Sequence, residues 1–361
     1  MRKTRRRNKR QAIRRGIWGL LLMVLCICLC GCERKEQKEE SSTEVTKQEQ
    51  ETKKKREGEL VIQLGFSTNN SSIRAKASQK FQEIVQEKTK GKIKIELYPD
   101  GQLGSDGDLI SRVIEGKVDM TVSSAGNFAN YGRVGISAFP FLFSDFQEAW
   151  EFMDSDIVKD LNQELTSYNI HVLANFDNGF RCVTSSKEYG PIEKVKDMKG
   201  MIIRTPDNQI VMETMSRLGA KPQILDFTKL TEALKKGEFD GQENPITIIY
   251  NQQLYKVQKN LAITNHSYDA MPFVIREDLW STLTEEEQEI LLDAAKQAQK
   301  LNRELIQEQT LEYISLLKEK GMNITYPDLE EFKKATESVL DYFIPSYGQE
   351  LIDHVKKISK K

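Results

Sequence analysis

Two stretches far apart in the chain carry one pattern, LISRVIEGKVD at residues 109–119 and LTEALKKGEFD at residues 230–240. Each starts at Leu (Leu109, Leu230), meets Gly seven residues later (Gly116, Gly237) and closes on an apolar residue followed by Asp (Val118 and Asp119, Phe239 and Asp240). A short helix stopped by a left-handed glycine and running straight into a strand produces this spacing, because only glycine enters that backbone region without steric cost. One such unit in each half predicts two similar α/β lobes, and the roughly 300 residues from Leu60 onward suffice for two domains.

The surrounding pattern agrees. Leu60 to Phe66 alternates as a strand, Ile73 to Lys90 places Ile73, Ala77, Phe81, Ile84 and Val85 on one helical face, and Ile93, Ile95 and Leu97 alternate again. The polar loop from Ser67 to Ser72 sits between that first strand and its helix. It reads either as a capping loop or as a ligand loop at the carboxyl end of a strand. In the second half, MKGMIIRTP (residues 198–206) predicts a strand over Met201–Ile203 that ends at Pro206 and delivers Arg204 to an edge. ALKKGEFDGQENPI (residues 233–246) predicts a short strand over Glu238–Asp240 and a turn at Gly241 into a polar loop carrying Asn244. Arginine at a strand end offers a fixed fork of donors that matches a carboxylate, which lysine cannot reproduce. Near the C-terminus, Thr284 and Glu287 form a capping-box pattern ahead of apolar spacing that runs to Leu317 before Gly321. That predicts a helix about 54 Å long, which could brace two lobes or pair in a coiled coil, although its Gln- and Ala-rich stripe is a poor heptad seam.

The first 31 residues hold nine basic residues, no acidic ones, and an apolar run over Ile17–Leu29. This is a secretion signal, too short for a span of about 20 residues; an uncleaved anchor is the alternative. Residues 33–59 contain one apolar side chain, Val45, and cannot bury enough surface to fold. Without the leader, 44 Lys and Arg face 54 Asp and Glu, a charge near -10. Such a surface argues against nucleic acid as a partner, and any anionic ligand must be held by local positive groups.

GKIKIELYPDGQLGSD (91–106), VIEGKVDM (113–120), FPFLF (139–143), NGFR (178–181), the two segments with Arg204 and Asn244, and VQKNLAITNH (257–266) stand in an order that resembles one family. It is the substrate-binding subunit of tripartite ATP-independent periplasmic (TRAP) transporters, dicarboxylate type. The resemblance implies an α/β, two-lobed periplasmic-binding-protein-like fold with a long C-terminal bracing helix. Lobe I is expected over residues 60–178 plus 270–309, and lobe II over 179–269 plus 310–361. The ending Leu29-Cys30-Gly31-Cys32 resembles a lipoprotein box, which makes residues 1–31 a signal peptide, Cys32 the lipidated residue and 32–59 a tether. Such a tether suits a Gram-positive cell.

By the same resemblance Arg204 pairs with the substrate carboxylate and Asn244 donates an amide to it. Arg181 is a second cleft arginine that suits another carboxylate or several hydroxyls, or else pins the hinge. Phe227 packs on the ligand's carbon skeleton or in the core, and Ser67 and Ser124 line the cleft from the first lobe. The chain departs from the family where sialic-acid binders carry an acidic residue, since it has Ser124. It departs again at Lys229-Leu230-Thr231, where many members read acidic-x-aromatic. A smaller hydroxy acid, dicarboxylate or sugar acid is therefore expected rather than sialic acid. The implied partners are that organic acid, the TRAP membrane subunits and, through the lipid, the membrane; the chain is expected to be a monomer. A receptor that presents the solute to a membrane histidine kinase is the alternative. His171, His266 and His354 are scattered, and no HExxH, CxxC, GxSxG or phosphate-loop pattern occurs, so neither a cofactor, a metal nor an enzyme is expected.

Overall fold

The computed structural model describes residues 58–358; the leader, Cys32 and nearly all of the tether lie outside the described residues. In chain order the first elements are β1 (Leu60–Gly65), α1 (Ile73–Lys88), β2 (Ile93–Tyr98), α2 (Asp106–Ile114), β3 (Met120–Val122), α3 (Phe146–Met153), α4 (Asp156–Gln163) and β4 (Ile170–Ser185). Next come β5 (Ile202–Thr205), α5 (Gln209–Arg217), β6 (Lys221–Ile224), α6 (Leu230–Lys235), β7 (Gly241–Pro245), α7 (Ile246–Asn251) and β8 (Asn260–Arg276). The chain ends with α8 (Glu277–Trp280), α9 (Glu285–Glu319), β9 (Asn323–Thr325), α10 (Leu329–Thr336), α11 (Val339–Tyr342), α12 (Ile344–Tyr347) and α13 (Gln349–Ile358).

The strands form one mixed sheet in the order β2-β1-β3-β8-β4-β7-β5-β6, with β9 beside β8. The two longest strands, β4 and β8, pair antiparallel from Ile170 opposite Arg276 to Ser185 opposite Asn260. One half of this ribbon carries β3, β1 and β2, and the other carries β7, β5 and β6. The ladder is irregular between Asp177 and Gly179, where Gly179 adopts φ +104° and faces Asp269. A left-handed glycine lets the ribbon change direction as it passes from one half of the sheet to the other.

The repeated helix-to-strand unit is present in both halves. Gly116 (φ +71°) follows α2 and Gly237 (φ +72°) follows α6. The two aspartates then do equivalent work: an Asp119 side-chain oxygen accepts from the Gln63 amide in β1 at 2.9 Å, and one of Asp240 accepts from the Ile202 amide in β5 at 2.7 Å. Each ties the unit to the parallel strand next to it. The strand of the second unit lies later than the sequence predicts, over Gly241–Pro245 instead of Glu238–Asp240. A side chain at Gly241 would put its Cβ 2.0 Å from the Thr184 carbonyl, so this glycine serves close strand packing and not a turn. Arg204, likewise, is not at an edge, because β5 pairs with both β6 and β7.

α9 begins at the predicted capping box: Thr284 Oγ accepts from the Glu287 amide at 3.2 Å and Glu287 accepts from the Thr284 amide at 2.8 Å. Its 35 residues span about 52 Å. Near its start Leu291, Ala294, Ala295 and Ala298 join the core of Ile62, Leu64, Phe81 and Phe273; near its end Leu317 joins that of Leu234, Ile249 and Leu261. The small alanines let α9 lie close on α1, and one rigid element is thus anchored in the cores of both halves. The helices from Val339 onward pack against both halves: Phe343 and Tyr347 make edge contacts to Phe139, and Val339 shares a core with Ile210 of α5. Their sequence holds no sign of this, because the contact depends on where the chain returns after α10.

Candidate functional site

All six residues singled out as ligand-binding candidates line one cavity where the two halves of the sheet meet: Ser67, Ser124, Arg181, Arg204, Phe227 and Asn244. In this shut form the free space between them is only about 40 Å³. The cleft is shut. Asn69 Nδ2, in the loop after β1, donates to the Asn251 carbonyl at the end of α7 at 3.2 Å. A Cβ on Gly126 would stand 1.8 Å from Nδ2 of Asn208, the N-cap of α5.

Arg204 is 2% exposed. Its Nε and Nη2 both donate to the Leu225 carbonyl, at 2.8 and 2.6 Å. Among the described residues it has no carboxylate partner. Burial pushes the guanidinium down to about 10, against the pull of Glu243. A cation desolvated without a partner is costly, and an anion entering the cavity would relieve that cost. Asn244, in β7 and not in a loop, donates Nδ2 to Gln242 Oε1 and keeps one N–H free. Phe227 is partly buried, packed against the second-half core and lining the cavity.

Arg181, on β4, is in a different electrostatic state. Its Nε and Nη2 bind the Glu243 carboxylate, Nη2 also the Glu243 carbonyl at 2.9 Å, and Nη1 donates to Asp269 Oδ2 at 2.5 Å. Burial works against this charge, yet Glu243 and Asp269 hold the guanidinium above the usual arginine range. Burial alone would raise Glu243, but Arg181 and His266 bring it to about 2. His266 is itself fully buried, and burial lowers its pKa below the ordinary imidazole value. Arg181 therefore lines the cavity with one Nη1 proton uncommitted rather than an open fork.

The two serines are committed as donors. Ser67 Oγ donates to Asp106 Oδ1 at 2.7 Å and Ser124 Oγ donates to Asp269 Oδ1 at 2.5 Å. What they offer a ligand is lone pairs. The structure adds wall residues that the sequence reading did not single out: Arg74, Asp106, Asn127, Asn178 and Asp269. Arg74 pairs with Asp106 at 3.1 Å, and Asn178 Nδ2 donates to Asp269 Oδ2 at 2.8 Å. Asp106 and Asn178 lie inside segments that carried the family resemblance, which was the available signal. Arg74 and Asp269 had none, since their partners are 32 and 88 residues away. Cys182 is buried among apolar neighbours, and burial raises its thiol to about 12, so it is no nucleophile. A larger groove beside Phe141, Lys333 and Lys356 contains none of the predicted residues and mixes both signs of charge.

Residues 64–346 match the family described as "Bacterial extracellular solute-binding protein, family 7". The 2,3-diketo-L-gulonate-binding periplasmic protein YiaO of Escherichia coli is 32% identical over 291 residues, 80% of this chain and 88% of that protein. The C4-dicarboxylate-binding protein DctB of Bacillus subtilis is 26% identical over 84% of this chain and 88% of its own length. A TRAP periplasmic solute-binding protein from Polaromonas sp. JS666, solved with D-erythronate bound, superposes with a TM-score of 0.80 at 30% identity, covering 82% of this chain and 98% of that one. The fold is thus shared with these proteins, and this chain belongs to the family 7 bacterial extracellular solute-binding proteins, the TRAP transporter binding proteins.

Proposed function

We propose that this chain is an extracytoplasmic receptor that captures a small organic acid by closing its two lobes and delivers it to TRAP membrane subunits. The observation that carries the reading is Arg204, a buried cation without a carboxylate partner in the wall of a shut cavity. A ligand carboxylate there makes a charge-assisted pair, and its Coulomb energy rises as closure removes water. Only a ligand that favours the closed form shifts the open–closed equilibrium, so the closed form reports occupancy to the transporter. Phe227 covers the carbon skeleton, Asn244 adds an amide donor, and Ser67, Ser124 and Arg181 line the rest. The lobes hinge where β4 and β8 pass between the halves, near Asn178 and Asp269, with α9 as the brace. The ligands named for the similar proteins, D-erythronate and 2,3-diketo-L-gulonate among them, support an acid of this size.

Cys32 is the lipidated residue in this reading and anchors the receptor on the outer face of a Gram-positive cell membrane, the tether of residues 32–59 giving it reach. Metabolic labelling with palmitate should mark the wild type and not Cys32→Ser. Delivery is tested with proteoliposomes holding the TRAP membrane subunits under an ion gradient. Adding this chain should start uptake of the labelled acid, and Arg204→Met should not. Equal uptake without the chain would contradict the proposal.

A further inference from the structure

We infer that the cavity selects hydroxylated monocarboxylates and rejects dicarboxylates, with Asp269 as the residue that sets this preference. The inference rests on the organic-acid reading above and narrows it. It starts from the charges in the wall. Arg74 is matched by Asp106, and Arg181 is matched twice, by Glu243 and Asp269. Only Arg204 is left to neutralise an incoming anion. Three guanidiniums and three carboxylates already cancel, so one ligand carboxylate leaves the buried site at -1 and a second takes it to -2. Like charges in a desolvated site repel strongly.

Position reinforces the count. Arg204 is on β5 and Asp269 on β8, three strands apart through β7 and β4 and about five residues apart along the strands, since Arg204 lies level with Gln242 and Thr184 whereas Asp269 faces Gly179. With its carboxylate on Arg204, an acid of four to six carbons directs its far end toward Asp269. That end of the cavity is rich in acceptors. The protons of Ser124 Oγ and Asn178 Nδ2 are directed at the Asp269 carboxylate, and that of Ser67 at Asp106. Asp106 Oδ2 accepts no hydrogen bond among the described residues, and Ser124 Oγ keeps its lone pairs, while Ser67 Oγ accepts a long hydrogen bond from Arg74 Nη1 at 3.5 Å. Hydroxyl groups donate to such a wall, whereas a carboxylate has no proton to give. The single uncommitted Nη1 proton of Arg181 is outweighed by the two carboxylates already on that side chain.

Matched pairs test this by calorimetry on the full-length protein at neutral pH: D-erythronate against meso-tartrate, and D-galactonate against galactarate. Each pair differs chiefly in the oxidation of the far carbon. The monoacid should bind at least tenfold more tightly in the better-binding pair, and the half-methyl ester of meso-tartrate should recover much of the difference. Asp269→Asn, which keeps shape and removes charge, should narrow the monoacid-to-diacid ratio at least tenfold. If this variant does not fold, the ester comparison on the wild type decides the matter. Diacids that bind as tightly as the monoacids, or an ester no better than meso-tartrate, overturn the selectivity while leaving the organic-acid reading in place. Binding by none of these acids overturns both.

Discussion

Replacing Arg204 by lysine retains the charge and removes the fork. In the closed cleft the guanidinium is held from behind by Leu225, through Nε and Nη2, which leaves its remaining donors to face the cavity. The fall from 12.5 to about 10 that burial imposes corresponds to about 3 kcal/mol spent on keeping an unpaired charge out of water. A bound carboxylate recovers an amount of that order, which agrees with the about 2–5 kcal/mol lost when one partner of a buried charge pair is truncated. Lysine's single ammonium can reach the Leu225 carbonyl or the ligand, but not both with good geometry. Arg204→Lys should therefore weaken binding about 30-fold to about 4,000-fold by titration calorimetry. Arg204→Met serves as the control for a structural role. It loses two hydrogen bonds to Leu225, worth about 1 kcal/mol each, but also removes the unpaired charge. The ligand-free melting temperature should hence change by only a few degrees while acid binding disappears. Either variant binding acids as tightly as the wild type, or a collapse of ligand-free stability in the methionine variant, would refute the reasoning.

Two further predictions concern closure and pH. Gly126→Ala places a methyl group against Asn208, whose Oδ1 is fixed by the Ile210 and Val211 amides; overpacking of about 1–3 kcal/mol should lower ligand affinity about 5-fold to about 150-fold, and unchanged affinity would show that closure does not need this approach. Asp177, which accepts from Trp150 Nε1 and the Gly179 amide near the hinge, is raised by burial from 3.8 to about 7. A raised folded-state pKa stabilises below the unfolded value and loses that contribution as pH climbs through the folded one. The stability of the wild type relative to Asp177→Asn, followed by denaturant titration, should therefore fall between about pH 4 and about pH 7. A difference independent of pH in that window would contradict the assignment.

Much of the fold was legible because it rests on local rules. The glycine stops at Gly116 and Gly237, the Thr284 capping box and the alternation in β1 and β2 each act within a few residues. The six cavity residues were legible for another reason, resemblance, since an isolated arginine or serine carries no pattern of its own. Misreadings fell where tertiary contacts decide. Gly241 looks like a turn residue until Thr184 is packed against it, and Arg204 looks like an edge residue until β6 and β7 flank it. The electrostatic difference between Arg204 and Arg181 was not legible at all. It depends on Glu243 and Asp269, 62 and 88 residues from Arg181, converging on one guanidinium and leaving the other without a carboxylate partner among the described residues.

The central claim is that a carboxylate on Arg204 drives binding, and the most direct test is to compare an acid with its alcohol. Thermal unfolding of the full-length protein should be measured with D-erythronate and D-galactonate, and with erythritol and galactitol, which keep the carbon count and replace the carboxylate by a hydroxymethyl group. An acid that binds, present at a hundredfold excess over its dissociation constant, should add about 2.7 kcal/mol of stability, a rise of several degrees for a domain of this size. The account predicts that rise for at least one acid and none for either alcohol. Equal stabilisation by an alcohol and its acid would contradict it, since Arg204 is the lining cation that no carboxylate of the described residues already pairs.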